Sequence, residues 1–407
     1  MVAIQLNSVG GKKMIQTKTN FTVHSPGTIV YGRDSFEEVG EYAKKLGTKA
    51  LIISDPIMDS LGFVKQCKSL LNTYGIEAVQ YLGVVTEPND TYVEEGLHLL
   101  QQEGCDVIIS VGGGSCIDTA KAIAVVATNG GYIGDYMKMA KMAEQVPIPH
   151  IAIPTTAGTG SEATDATVIT NTKSEVKMMI KQPAFMPTVA IVDPILTITS
   201  PPAITAATGI DALSHAIESY LSRLAHPYSN VLALSAMDLI VHNILRVYEQ
   251  GDDVEAREAM SLGSMQAGLS FSNASVALVH GMSRPIGALF HVPHGISNAM
   301  LLPAVLEFSK EACIDRLAVL GQFFHEKNGT LSQEDLAQLA ISSIKEMCKR
   351  MNIGNLKQWG IEEGAYYKAI PKMAEDAIAS GSPSNNPKIP TKEELMELYH
   401  TAYTYEF

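Results

Sequence analysis

The chain of 407 residues has few cysteines, and none of them form a CxxC pair. Five scattered cysteines, an odd number, indicate neither a disulfide framework nor a thiolate zinc site. Their pattern favours a reducing compartment, so we expect a cytoplasmic protein. The N-terminus lacks the apolar core of a secretion signal, and no uncharged apolar stretch reaches membrane-spanning length.

Basic charge is also in short supply, since 30 Lys and Arg residues stand against 43 Asp and Glu residues, for a net charge of -13. The charges are interspersed and form no basic stripe, so we expect neither nucleic acid nor an anionic membrane as a partner. Hydrophobic residues make up 46% and charged residues 18%, which is typical of a folded globular protein. The length allows two or three domains of about 150 residues each.

Short apolar runs alternate with longer amphipathic stretches in the first half of the chain, as in a parallel sheet covered by helices. The strand-like runs are 50–54, 106–111, 149–154 and 189–193, and the candidate crossover helices are 59–74 and 91–102. After Pro201 and Pro202, helical periodicity dominates, with a turn-rich segment at 381–390 and a last helix at 391–403. The sequence therefore predicts an α/β domain over residues 1–200 and a helical domain over residues 201–407.

A glycine-rich turn follows the second of these strand-like runs. Gly112, Gly113, Gly114 and Ser115 lead directly into a helical stretch, and backbone N–H groups at such a helix start can bind phosphate. Asp118, one turn further on, is either a cofactor contact or, with Ser115, part of a helix cap. The spacing does not match the GxGxxG fingerprint, so the turn predicts a nucleotide site of another kind.

Two other segments follow strand-like runs and suit a nucleotide. Asp55 can accept a hydrogen bond from a ribose hydroxyl and repel a 2′-phosphate, which favours NAD over NADP. It fits a turn before Pro56 equally well. The segment 154–162 presents several hydroxyls among small residues, which suits phosphate and ribose but also suits a tight turn with local caps.

Histidines and one aspartate in the second half suggest a metal site. Asp211 and His215 are four residues apart in a helical stretch and therefore share one face, although such a pair can also be a surface ion pair. A later segment supplies His280, His291 and His294 in an apolar context, where a single histidine is more often a hydrogen-bonded core residue. Taken together, an N₃O set without thiolates suits Zn²⁺ or Fe²⁺.

Four motifs of this chain together resemble the iron-dependent (group III) alcohol dehydrogenases, relatives of glycerol dehydrogenase and dehydroquinate synthase. The motifs are GGGSCIDTAKAIA, PTTAGTGSE, GIDALSHAIESY and HGMSRPIGALFHVPHGISNAMLLP, and the similarity runs from residues 26–32 to the terminal helix. The resemblance implies an N-terminal Rossmann-like α/β domain and an all-α C-terminal domain, the dehydroquinate synthase-like architecture. A cleft between them would hold the nicotinamide and the metal.

The resemblance also implies roles for individual residues. The metal ligands of the family match Asp211, His215, His280 and His294, and the pyrophosphate loop matches Gly112, Gly113, Gly114 and Ser115. Further cofactor contacts match Thr155, Thr156 and Thr159, with Asn89 and Lys177 near two more.

Two positions depart from the family pattern. Arg284 stands where many relatives carry a histidine four residues after the third ligand, close to the nicotinamide end of the cleft. Proton handling and substrate range are expected to differ there. His291, three residues before the last ligand, is interpreted as a substrate-side proton relay, with a hydrogen-bonded histidine lining the cleft as the alternative.

The expected function is that of a metal-dependent, NAD(P)-linked oxidoreductase that interconverts short primary alcohols or diols and their aldehydes by hydride transfer. NAD and Fe²⁺ are the expected cofactors, with NADP and Zn²⁺ as alternatives. The resemblance implies a homo-oligomer, a dimer or larger. Alternative functions are a glycerol-type polyol dehydrogenase, a lyase such as a dehydroquinate synthase, and a non-catalytic nucleotide-binding protein on the same fold.

Overall fold

A computed structural model describes residues 20–174, 176–325 and 330–407 of the chain. The first half contains every strand found in these residues: β1 Thr28–Tyr31, β2 Lys49–Ile53, β3 Glu77–Tyr81, β4 Val107–Gly112, β5 His150–Pro154, β6 Ala166–Asn171, β7 Val176–Lys181 and β8 Val189–Val192. Its helices are α1 Val39–Lys44, α2 Pro56–Ser60, α3 Phe63–Thr73, α4 Asp90–Glu103 and α5 Gly114–Asn129.

The second half is helical throughout its described residues. Its helices are α6 Pro202–Leu221, α7 Pro227–Glu249, α8 Val254–Ala274, α9 Leu278–Phe290, α10 His294–Ser309, α11 Ile314–Gln322, α12 Gln333–Arg350, α13 Leu356–Trp359, α14 Glu363–Ala379 and α15 Lys392–Tyr403. One apolar core holds them together, and α6 lies almost wholly inside it. A helix buried on every side can place polar side chains only where partners meet them.

Six strands form one parallel sheet in the order β1-β8-β5-β4-β2-β3. β4 and β5 are buried along their whole length, and separate apolar clusters cover the two faces of the sheet. Because all six strands are parallel, their carboxyl ends lie at one edge, where Gly112 of β4 pairs with Pro154 of β5. Loops that follow these strands therefore meet at one rim, as binding loops do in doubly wound folds.

The predicted strands and the predicted helix at 91–102 are confirmed, with no end shifted by more than one residue. The predicted helix at 59–74 is instead two helices, α2 and α3, because Gly62 adopts a left-handed φ of 86° between them. The predicted last helix is α15, and the turn-rich segment before it contains a short 3-10 helix at Ser382–Asn385.

Four strands were not predicted. β1 and β3 are the two edges of the sheet and are only partly buried, so their sequences lack a continuous apolar run. β6 and β7 form a separate antiparallel pair that packs beside α5 and α9. Neither pair shows the fully apolar pattern that marks an interior parallel strand.

The two halves meet at a close backbone contact. Gly160 has a φ of 60°, and the loop that carries it lies against Gly268 of α8. A Cβ atom added to Gly268 would come within 2.6 Å of the Gly160 carbonyl oxygen. A small cluster of Ala163, Val192, Met265 and Leu269 fills the interface beside this contact. The glycines therefore set how closely the second loop approaches the helical half.

One helix of the described residues, α7, is long and apolar enough to cross a membrane by length and composition. Its inner face, with Ala233, Met237 and Ile240, belongs to the core of the helical half. Its outer face carries Asp238 and His242, which are paired and exposed. These contacts are those of a core helix in a globular protein.

Replacing Gly268 with alanine should lower the free energy of unfolding by about 1–3 kcal/mol, since the added methyl group has no room against Gly160. Chemical denaturation measures the change. Glu255→Ala on the exposed side of α8 is the matched control, with an expected change within about 0.5 kcal/mol. Equal stabilities of Gly268→Ala and the wild type would contradict the tight contact.

Candidate functional site

The first loop at the sheet edge leaves the start of α5 uncapped. α5 begins at Gly114, and no side chain hydrogen-bonds its first N–H groups. Gly113, Gly114 and Ser115 line a cavity of about 360 Å³. Gly114 is required by packing as well, because an added Cβ atom would lie 2.7 Å from the Thr159 side chain. The open helix start, with its partial positive charge, suits a phosphate group.

The second loop covers the same cavity from the other side. Thr156 and Thr159 line the cavity, and Thr155 is buried with a hydroxyl that has no hydrogen-bond partner among the described residues. The Thr155 N–H donates to the Gly112 carbonyl oxygen over 3.1 Å, which ties the second loop to the first. The two glycine-containing loops therefore form one rim.

Asp118 is a structural brace and caps no helix. It accepts hydrogen bonds from the Ser161 hydroxyl at 2.5 Å and from the Val168 N–H at 2.8 Å. The helix cap, one of the two alternatives for Asp118, is therefore excluded, because its carboxylate bonds to the second loop and β6 and not to the start of its own helix. Asp118 still lines the cavity, and its contact with a cofactor stays a prediction.

A lysine that the sequence analysis did not single out completes this brace. Lys121, on α5, is fully buried, and its ammonium group donates to Ser161, Thr164 and the Ala166 carbonyl oxygen over 2.8–2.9 Å. Three donors thus meet three acceptors. Burial nevertheless lowers the pKa of Lys121 to about 8. Its sequence signal is weak, because a lysine within an apolar helix is usually exposed.

Asp55 and Asn89, two of the predicted cofactor contacts, are helix caps outside the cavity lining. Asp55 accepts from the N–H groups of Ile57 and Met58 at the start of α2, and Asn89 accepts from the Tyr92 N–H at the start of α4. The contacts of Asp55 are therefore those of the local turn that was the alternative to a ribose contact. Its position beside Gly112 keeps it at the sheet edge, and a ribose contact by either residue stays a prediction.

Lys177, on β7, lines the cavity and pairs with Glu87 at 2.5 Å. Lys177 and His294 line the same cavity. The predicted cofactor contact of Lys177 is thus compatible with its position in the cavity, and its ion pair already neutralises its charge.

The predicted metal ligands lie together at the helical side of this cavity. Ligand atoms of Asp211, His215 and His280 lie within 4.8 Å of one another, and all three residues are buried. His294, the first residue of α10, lies beside them, and its ring is 5.2 Å from that of His280. Gly295 allows this approach, because an added Cβ atom would lie 2.5 Å from the Ala207 carbonyl oxygen of α6.

Two further residues hold three of these four in place. Asn298, one turn after His294, directs its amide nitrogen to Asp211 at 2.6 Å, to His280 Nε2 at 3.1 Å and to His294 Nε2 at 3.2 Å. Glu218, on α6, lies 2.5 Å from His280 Nδ1 and also accepts from the Val279 N–H. Neither was predicted, although both follow a predicted ligand at helical spacing.

The protonation of the cluster suits a cation. Burial lowers the pKa of His280 well below its usual range and that of His294 to about 3, so both imidazoles are neutral and offer lone pairs. Burial also raises the pKa of Glu218 to about 7, against backbone N–H groups that lower it. A proton on His280 Nδ1, facing Glu218, leaves a lone pair on Nε2, which accepts from Asn298 and can instead bind a metal ion.

This donor set fits a divalent transition metal. It offers three imidazoles and one carboxylate, it is largely withdrawn from water, and His215 Nδ1 has no hydrogen-bond partner among the described residues. Such N₃O sets suit Zn²⁺ or Fe²⁺ and do not suit Ca²⁺, which prefers six or more oxygens. The residues present therefore fit the metal expected from the sequence.

Arg284 and His291 occupy different environments. Arg284, on α9, lines the cavity and donates to the Ser382 hydroxyl at 3.0 Å. His291 is exposed, ends α9 with a left-handed φ of 55°, and is absent from the cavity lining among the described residues. The structure therefore gives no support to His291 as a proton relay, because a relay must reach the reacting atoms.

One cavity thus connects the open start of α5 with the metal-ligand cluster. Its lining includes Ser115 and Thr156 on the sheet side and Asp211, His215 and His294 on the helical side. A phosphate-bearing cofactor bound at α5 would extend toward the cluster, and the arrangement suits redox chemistry at a metal site.

Two family models match the chain. The model for iron-containing alcohol dehydrogenase matches residues 26–194, and the model for the C-terminal part of the Fe-containing alcohol dehydrogenase family matches residues 205–403. The chain therefore belongs to the iron-containing alcohol dehydrogenases. It is an oxidoreductase of alcohols and aldehydes that uses a nicotinamide cofactor, as the sequence predicted.

Individual relatives match over nearly the whole chain. An NAD-dependent methanol dehydrogenase of Bacillus methanolicus is 37% identical over 94% of this chain and 100% of its own length. A 1,3-propanediol dehydrogenase of Citrobacter freundii is 37% identical over 93% of this chain and 97% of its own. The crystal structure of a 1,3-propanediol oxidoreductase is similar with a TM-score of 0.91 and 35% identity, covering 94% of this chain and 100% of that one. The predicted architecture is confirmed.

Replacing Glu218 with glutamine should weaken metal binding about 10- to 100-fold, because His280 would lose the carboxylate that fixes its ring and its tautomer. Competition with a chromophoric chelator measures the affinity. Glu255→Gln, an exposed carboxylate on α8, is the matched control and should bind metal as the wild type does. Unchanged affinity in Glu218→Gln would contradict this role.

Lys121 should make stability depend on pH. Its pKa is about 8 in the folded chain and 10.5 when unfolded, so between these values the unfolded chain binds more protons and stability rises with pH. The contribution of this one group is about 3 kcal/mol across that window. Urea denaturation of the wild type and of Lys121→Met at pH 8 and pH 10 compares the two slopes. Parallel slopes would show that Lys121 does not contribute.

Proposed function

We propose that the chain interconverts short primary alcohols or diols and their aldehydes, with NAD as hydride carrier and NADP as the alternative. The observation that carries the proposal is the single cavity between the open start of α5 and the ligand cluster. Its volume of about 360 Å³ has to accommodate the nicotinamide end of the cofactor together with the substrate, which favours small substrates.

Asp211, His215, His280 and His294 would hold the metal, with Fe²⁺ as the expected ion and Zn²⁺ as the alternative. A divalent ion bound there supplies Lewis acidity, which lowers the pKa of an alcohol and polarises an aldehyde. The four residues fix the position of that acid, since Asn298 contacts three of them and Glu218 orients His280.

The sheet half would hold the cofactor. Gly112, Gly113, Gly114 and Ser115 offer backbone N–H groups to the pyrophosphate at the uncapped start of α5. Hydroxyls of Thr155, Thr156 and Thr159, and Lys177 on β7, would contact the phosphates and ribose. Asp55, Asn89 and Asp118 lie close by and would order these loops as much as touch the cofactor.

The proposed reaction balances in atoms and electrons. A nicotinamide bound in the sheet half would supply the hydride acceptor for the alcohol carbon, and the hydroxyl proton would pass to solvent. The reverse reaction would return both. Phe271 and Val276 present apolar side chains to the cavity, which would disfavour water beside the substrate. A domain boundary near residue 200 would separate the half that binds the cofactor from the half that binds the metal.

We also propose a cytoplasmic homo-oligomer, a dimer or larger. The five cysteines are all buried and unpaired, which suits a reducing compartment. Size-exclusion chromatography with light scattering measures the assembly. A monomer at micromolar concentration would contradict it.

Replacing His294 with alanine should lower kcat/KM at least about 100-fold, because three remaining ligands hold a divalent ion far less tightly. Formation of NADH from 1-propanol and NAD measures the rate, and metal analysis of the same sample measures the ion. His242→Ala, which removes an exposed histidine on α7, is the matched control. Turnover by metal-free His294→Ala at the wild-type rate would refute the proposal.

A further inference from the structure

Arg284 carries a positive charge into the cavity without a carboxylate to neutralise it. Its guanidinium has five N–H donors, and its one hydrogen bond among the described residues goes to the Ser382 hydroxyl at 3.0 Å. No carboxylate of the described residues lies within ion-pair distance of it. Burial lowers the pKa of Arg284, as expected for a cation without full compensation.

The other cations of the cavity are already paired. Lys177 lies 2.5 Å from Glu87, and Lys181 lies 3.7 Å from Asp165. Glu218 acts on Arg284 only at longer range, since its oxygens accept from the N–H of Val279 and lie against His280 Nδ1. Arg284 therefore differs from both lysines in having most of its donors available.

The position of Arg284 places these donors beside the metal ligands. Arg284 lies four residues after His280 on α9, one helical turn further along the same face. Helical side chains lean toward the N-terminus of their helix, so the Arg284 side chain leans toward the turn that carries His280. Arg284 and His280 both line the cavity, which agrees with this direction.

A half-buried guanidinium of this kind favours an anionic partner. Arginine binds carboxylates, sulfonates and phosphates through two parallel N–H bonds, and withdrawal from water strengthens each bond. The Ser382 hydroxyl holds one nitrogen of the fork, which orients the remaining donors. Because Arg284 is only one helical turn from His280, an anion bound there would belong to a small molecule that also reaches the ligand cluster.

We propose that Arg284 binds an anionic group on the substrate, so that the substrate class of this enzyme is short ω-hydroxy acids or sulfonates and their aldehydes. The inference rests on the proposed alcohol–aldehyde interconversion and deepens it. The carbinol carbon transfers a hydride to NAD and its hydroxyl loses a proton, which yields the aldehyde, NADH and H⁺. The anionic group is unchanged and stays on Arg284 in both directions.

Matched substrate pairs test the proposal. The rate of NADH formation is measured with 3-hydroxypropanoate against 1,3-propanediol, and with 2-hydroxyethanesulfonate against 1-propanol. We expect the wild type to favour each anion about 10- to 100-fold in kcat/KM, the range of a hydrogen-bonded charge pair. Arg284→Gln should bring the ratio of kcat/KM for each anion to that for its neutral partner close to one, and Arg284→Lys should recover part of the preference.

A binding measurement gives a readout that is independent of turnover. Propane-1-sulfonate, an unreactive anion, should raise the melting temperature of the wild type with NADH bound and should not raise that of Arg284→Gln. The affinity for NADH should be equal in both. Arg223→Gln is the matched control, because Arg223 is exposed and reaches the neighbouring Ser384 carbonyl oxygen from outside the cavity.

The outcomes separate the two proposals. Oxidation of neutral alcohols with no preference for the anions would overturn the role of Arg284 and leave the alcohol dehydrogenase function intact. A weaker affinity for NADH in Arg284→Gln, in proportion to its lost rate, would assign Arg284 to the cofactor and overturn the inference. No oxidation of any alcohol by the metal-loaded wild type would overturn the proposed function itself.

Discussion

The structure depends on satisfying two carboxylates that helix α6 carries into the interior. Asp211 and Glu218 are both withdrawn from water, and an unpaired buried carboxylate costs several kcal/mol. Glu218 is met by the first N–H groups of α9 and by His280, and Asp211 is met by Asn298 of α10. The starts of α9 and α10 are thereby held against α6. The contacts that hold these three helices together therefore also assemble the metal-ligand cluster.

In the sheet half, by contrast, some polar groups have no hydrogen-bond partner at positions that a ligand can reach. The start of α5 has no side-chain cap, since Asp118 bonds to Ser161 and Val168 instead. Buried Lys121 stabilises that arrangement by donating hydrogen bonds to Ser161 and Thr164. The free N–H groups are therefore held rigidly at the rim of the cavity, which lowers the ordering cost of binding an anion there.

The features that could be predicted from the sequence are those with a short-range pattern. Continuous apolar runs identified the interior strands, and i,i+4 spacing placed Asp211 and His215 on one face. Edge strands and the β6–β7 pair escaped because half-buried strands lack such runs. Glu218 and Asn298 escaped because their partners are set by packing between helices, which spacing does not reveal. The relay role of His291 stays a prediction without structural support, since His291 is exposed at the end of α9.

Ser382, the one side chain among the described residues that hydrogen-bonds Arg284, lies on a short 3-10 helix that supplies neither metal ligands nor cofactor loops. Its neighbours Asn385 and Asn386 anchor that helix to α8 and α10 through their own hydrogen bonds. Mutations at Ser382 could thus retune which molecules are accepted while the hydride carrier and the ion stay where they are. The same scaffold can thus acquire new substrates through changes at a position that binds neither the metal nor the cofactor.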